Sequence, residues 1–231
     1  MTRDRSRPLW WLCVLFGAAV IAFGVWFGGV IPTRTCSGPV PPGVSALLVF
    51  QLARTPAEIE AVFGQLGNPC RDGMIAAMDH ANVVDLVAFI ATYGAFLACF
   101  FLAVLRAEAG SVARAGLAAV GAAVAFDVLE TSMQLHITGA LPGGAASLVL
   151  LTIGSRGKFL ALAVVCVCAG VALRRHGRLF GRVAGVACLL GGLLVVAGLV
   201  SAPARAALSA GNAIAWVVML VYAAVAGVRR G

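Results

Sequence analysis

The chain has 231 residues, 61% of them hydrophobic and 11% charged, with a formal net charge of +8 and a mean hydropathy of +1.01. Soluble domains carry about 25% charged residues, so the composition excludes a water-soluble globular protein and specifies an integral membrane protein. The arginines stand in ones to fours beside apolar runs, with no aromatic-interleaved basic surface. That excludes nucleic acid as a partner and leaves membrane lipids, whose anionic headgroups such residues meet.

A helix needs about 20 apolar residues to cross a bilayer core. The first such run, 9–31, comes after Arg3, Arg5 and Arg7 as the apolar stretch of a signal peptide would. Its apolar core is far longer than the usual 7 to 15 residues or so and no small-x-small cleavage site is evident, so it is expected to be a retained anchor. Further runs at 83–105, 115–137, 157–173, 183–202 and 206–228 give six predicted spans. The expected fold is an all-α polytopic transmembrane helix bundle, one membrane domain over 1–231, with a small extracytoplasmic cap between spans 1 and 2.

Basic residues near spans are held preferentially on the cytoplasmic side. With the N-terminus inside, Arg3, Arg5, Arg7, Arg106, Arg114, Arg174, Arg175, Arg178, Arg182, Arg229 and Arg230 are cytoplasmic. Arg34, Arg54, Arg71, Arg156, Lys158 and Arg205 then lie on or near the outside. Eleven against six places both termini in the cytoplasm, in a multi-pass protein of a bacterial cytoplasmic (inner) membrane.

The loop 32–82 forms the predicted cap. "VSALLVFQLA" is too short to span and reads as a strand or an interfacial segment. In "RTPAEIEAVFGQLG", Thr55 is an N-cap, Pro56 takes the first helical position and Glu58 completes a capping box. A short helix is predicted over about 56–66, with Ile59, Val62, Phe63 and Leu66 on one apolar face lying on the membrane surface or on the tops of the spans. Cys36 and Cys70 are the two cysteines outside the apolar runs, and a disulfide between them suits an oxidising compartment. Cys13, Cys99, Cys166, Cys168 and Cys188 fall in spans as small buried apolar residues.

The second span carries Asn82, Asp85 and Thr92 on one face, with Tyr93 adjacent and Asp79 and His80 just outside. In the third, "AFDVLETSMQLHI" places Asp127, Glu130 and Gln134 at i, i+3 and i+7 along one helical face. Counted from Ala115 at 1.5 Å per residue, Asp127 lies about 18 Å and Glu130 about 23 Å in; Lys158, counted from Leu173, is also about 23 Å in. The apolar stretch 145–153 before "GSRGK" holds Lys158 within or at the edge of the bilayer, whether it extends the fourth span or folds back. Asp79, Asp85, Asp127 and Glu130 are four of only nine acids in the chain. With Lys158 and Arg156 they predict an outward-facing polar pocket between spans two, three and four, lined by Asp85, Tyr93, Asp127, Glu130, Gln134 and Lys158.

Ionisable groups inside a membrane face the bundle interior, pair with each other, or serve a function. A Glu130 to Lys158 bridge that locks the helices is one expectation; a site that takes a small polar ligand or moves protons is the other. No metal-ligating spacing such as Glu-x-x-His or His-Glu-x-x-His is present, and no cofactor signature, nucleophile elbow or phosphate-binding loop. His136 and His176 stand alone near span ends, and Asn212 suits an interhelical hydrogen bond.

The succession "FQLARTPAEIEAVFG", "DLVAFIATYGAFLA", "FDVLE" and "GKF" resembles a group of uncharacterised small polytopic bacterial membrane proteins, over about residues 45–173. The resemblance implies that Asp85, Tyr93, Asp127, Glu130 and Lys158 form a shared core, and it brings no activity. Binding or transport of a lipid headgroup or small polar solute is the leading expectation. A membrane-embedded enzyme acting on a lipid-linked substrate, or an accessory subunit with a membrane-protein partner, are the alternatives.

Overall fold

The computed structural model describes residues 6–107, 110–176 and 179–229. Arg3, Arg5, Arg178 and Arg230, which entered the orientation count, lie outside the described residues. Six long apolar helices carry the architecture. They are α1 (Arg7–Val30), the α4–α5 rod (α4, Arg71–Val84, and α5, Ile90–Ala107), α6 (Ser111–Thr138), α7 (Ala145–His176), α8 (Leu179–Val200) and α9 (Arg205–Arg229). The shortest has 22 residues, about 33 Å of rise, enough for a hydrocarbon core of about 30 Å. Large apolar side chains such as Leu15, Val25, Val87, Leu160, Leu193 and Val217 are exposed on their outer faces. Hydrocarbon, not water, is the medium in which that arrangement is favourable.

The fourth span is one continuous helix from Ala145, so the stretch 145–153 extends it and "GSRG" causes no break. The second span is longer than its apolar run. It begins at Arg71 and continues to Ala107, with a π turn at Asp85–Phe89 joining α4 to α5.

The chain forms two compact units, and α1, the α4–α5 rod, α6 and α7 each contribute to both. The first comprises Met1–Ala22, Thr92–Ala123 and Phe159–Gly231. Small residues set its helix spacing: a Cβ on Gly191 of α8 would lie 2.7 Å from the carbonyl oxygen of Gly211 on α9, the backbone approach that small residues allow in membranes. Trp10 is buried here, edge-on to Phe100 and Tyr222, both at 5.8 Å between ring centres.

The second unit comprises Phe23–Ala91 and Val124–Lys158 and contains the cap. After a two-residue antiparallel ladder, β1 (Arg34–Thr35) with β2 (Gly38–Pro39), come α2 (Ala46–Gln51) and α3 (Pro56–Phe63). The segment read as a strand or interfacial piece is therefore α2. Ser45 caps it by accepting from the Leu48 amide at 3.1 Å, and Ala46, Leu48 and Phe50 are buried. The capping box of α3 is complete: the Glu58 amide donates to Thr55 Oγ1 at 3.2 Å, and Glu58 Oε2 accepts from the Thr55 amide at 3.1 Å.

Ile59, Val62 and Phe63 are fully buried with Phe50, Met74, Met78, Ile137, Leu148 and Leu151. The apolar face of α3 thus lies on the ends of the spans and not on the membrane surface. Leu66 does not share that face and is 92% exposed. The helix stops at Gly64, whose φ of +76° turns the chain, a conformation open to glycine and strained for other residues. The carbonyl of Gly64 accepts from the Arg71 guanidinium at 2.7 Å. Cys36 and Cys70 are joined in a disulfide, with Cα atoms 5.7 Å apart, and Cys70 immediately precedes α4.

Candidate functional site

The polar cluster belongs to the second unit and is organised by α6. Asp127, Glu130, Thr131, Gln134 and Thr138 are all buried, and their spacing of three or four residues keeps them on one face of the helix. At 1.5 Å per residue, Asp127 is about 24 Å and Glu130 about 28 Å from the start of a helix about 42 Å long. Lys158 lies about 4 Å from the midpoint of α7 by the same rise. All three lie within helices long and apolar enough to cross a membrane.

Two hydroxyl to carboxylate hydrogen bonds fix α4 against α6. Thr138 donates to Asp79 at 2.6 Å and Thr131 donates to Asp85 at 2.7 Å, so the helices run antiparallel with Asn82, midway between the two acids, level with Gln134. Asp85 is half-buried and opens the π turn, where the Ile90 amide reaches back to the Asp85 carbonyl. An i to i+5 turn takes in one extra residue, and such turns recur at functional sites.

On the other side α7 approaches α6 through glycine. A Cβ on Gly154 would fall 2.8 Å from the backbone nitrogen of Glu130, and one on Gly157 would fall 2.6 Å from the ring of Phe126. Lys158, one turn beyond Gly154, is thereby delivered to the carboxylates. Its Nζ lies 2.7 Å from Glu130 Oε2 and 3.0 Å from Asp127 Oδ1. One ammonium thus serves two buried carboxylates, and the bond to Asp127 is an aligned hydrogen bond.

Several atoms of this cluster are buried without a hydrogen-bond partner among the described residues: Glu130 Oε1, Gln134 Oε1 and Nε2, and Asn82 Nδ2. Glu130 and Gln134 have no solvent exposure. Orphaned polar atoms in an apolar medium are costly, by about 2 to 7 kcal/mol per group depending on the reference, and buried polar groups are normally partnered.

The structure therefore brings Asp85, Asp127, Glu130, Gln134 and Lys158 together. Tyr93 belongs to the first unit, where it is buried and stacks on Trp216 at 5.5 Å. Sequence reasoning passes over the threonines, although Thr131 and Thr138 stand four residues after Asp127 and Gln134 and the periodicity contains them. Nothing in the sequence signals the π turn.

Among the described residues, no group of three or more histidines, cysteines or acids is disposed to hold a metal ion. The His80 ring lies 5.4 Å from that of Trp26, and His136 is exposed. Ser155, the buried hydroxyl nearest Lys158 along α7, donates to the Thr152 carbonyl at 3.4 Å. The arrangement can hold a group that both donates and accepts hydrogen bonds, and it can stabilise positive charge. The chain matches no family model, no curated protein and no solved structure.

Proposed function

We propose that this integral membrane protein binds a small polar solute or a lipid headgroup within the bilayer, at the polar face that α6 presents to α4 and α7. In this reading it resides in a bacterial cytoplasmic membrane with both termini in the cytoplasm, and the site opens to the extracytoplasmic side, as a member of the small polytopic group that it resembles. The observation that carries the proposal is Gln134, fully buried with both its amide oxygen and its amide nitrogen unpartnered. A carboxamide used only to pack or to lock helices would be paired across the interface.

Native mass spectrometry of the protein released from its own membranes tests this, with the Asp127→Asn, Glu130→Gln double variant beside the wild type. A retained adduct of defined mass in the wild type, lost in the variant, is the expected result. An absence of adduct in both, with a markedly less stable variant, would make the carboxylates a helix lock and overturn the proposal.

A further inference from the structure

The charges and the orphaned atoms of the same site define the ligand more narrowly. Asp127 and Glu130 are buried together with Lys158, the only buried cation among the described residues. Asp85, held to α6 by the Thr131 hydroxyl one turn beyond Asp127, adds a third carboxylate. In their ionised forms these groups sum to two negative charges. An anionic group placed beside these acids would meet their repulsion, whereas an ammonium would be attracted to them.

The unpartnered atoms are of two kinds. Glu130 Oε1 and Gln134 Oε1 accept; Gln134 Nε2 and Asn82 Nδ2 donate. Glu130 and Gln134 are one turn apart on α6, about 6 Å along its axis, and Asn82 is level with Gln134 because the two threonine to aspartate bonds set that register. The acceptors at the Glu130 level suit a cationic donor, and the donors at the Gln134 level suit an oxygen close beside it. Lys158 already shows that these carboxylates take a primary ammonium, at 2.7 and 3.0 Å. A bare metal ion would leave both amide nitrogens unpartnered.

We infer that the ligand is a primary ammonium carrying an acceptor oxygen about two carbons away, the chemistry of an ethanolamine head, with the ammonium at Glu130 and the oxygen at the amides of Gln134 and Asn82. This rests on the binding function proposed above and names its ligand class. The same head occurs free and at the end of a phospholipid.

The test uses the full chain in phosphatidylglycerol nanodiscs, titrated by calorimetry with ethanolamine, ethylene glycol and sodium chloride. Saturable binding of ethanolamine, with ethylene glycol and sodium each at least tenfold weaker, is expected. Glu130→Gln and Gln134→Leu should each weaken ethanolamine at least tenfold. If one variant fails to fold, the other and the wild-type comparison of probes still decide. Nanodiscs containing phosphatidylethanolamine then distinguish the sources: a lower apparent ethanolamine affinity there identifies the lipid, and an unchanged one identifies a free amine. Ethylene glycol or sodium binding as well as ethanolamine would overturn the ligand class while leaving a binding site. Binding of no probe, together with no adduct on the protein from its own membranes, would overturn both.

Discussion

Lys158 reaches Glu130 at 2.7 Å because Gly154, one helical turn earlier, lets the backbone of α7 rest against that of α6 at the same glutamate. The ion pair and the glycine contact are two parts of one helix junction. Changes at either should be felt at the other.

Removing the cation leaves two acids buried without their counter-charge, and breaking a buried pair in this way costs about 3 to 5 kcal/mol. Lys158→Met is therefore expected to lower stability by about that amount in thermal unfolding of the detergent-solubilised protein. Adding Glu130→Gln to Lys158→Met should cost less than the sum of the two changes, by about 1 kcal/mol or more, because the residues are in direct contact. Strict additivity would mean that the pair does not form.

The glycine half of the junction predicts a steric effect. Gly154→Ala forces a methyl against backbone atoms of α6 that cannot swing aside, and overpacking of this kind costs about 1 to 3 kcal/mol. Gly121→Ala, also on a span but with open space around its added carbon, is the matched control and should be neutral or slightly stabilising. Equal unfolding temperatures for the two variants would contradict the close approach.

Thr131→Val keeps the side-chain shape and deletes the donor to Asp85. Leaving that carboxylate without its partner should cost about 1 to 3 kcal/mol and speed amide hydrogen exchange around 85–90, the π turn that Asp85 opens. Unaltered exchange there would show that the hydroxyl does not hold the turn.

The Cys36 to Cys70 bond closes a separation of 34 residues, for which stabilisation of about 2 to 4 kcal/mol is typical. Maleimide-polyethylene glycol labelling should add no mass at these two positions until a reductant is supplied. Reduction should loosen the cap while helix content by circular dichroism stays nearly constant, because the spans are hydrogen-bonded internally. Labelling without reductant would show free thiols.

The spans are legible in the sequence because length and hydropathy at membrane depth leave few alternatives, and the α3 capping box because its four residues act locally. The cysteines pair by exclusion, since the other five lie in spans. Lys158 stands level with Glu130 by simple counting along two helices. The features that stay hidden depend on contacts between distant residues. Leu66 fits the periodicity of α3, yet Gly64 ends the helix before it. "GSRG" reads as an interruption, yet its glycines sit inside α7 where Glu130 and Phe126 come close. The fate of α2 is undetermined in the sequence because "ALLVF" suits either strand or helix until Phe50 finds Phe63, at 4.8 Å between ring centres. The π turn shows itself only through backbone bonding.

The 37 residues of the second span make a rod about 55 Å long, against a hydrocarbon core of about 30 Å. Part of that length therefore exceeds the core. The Cys36 to Cys70 bond ties the cap to the start of this span, whose first helix carries Asp79 and leads into Asp85. A spectroscopic label at Leu66, 92% exposed beside the turn at Gly64, would therefore report from the aqueous side on a cap that the disulfide ties to that span.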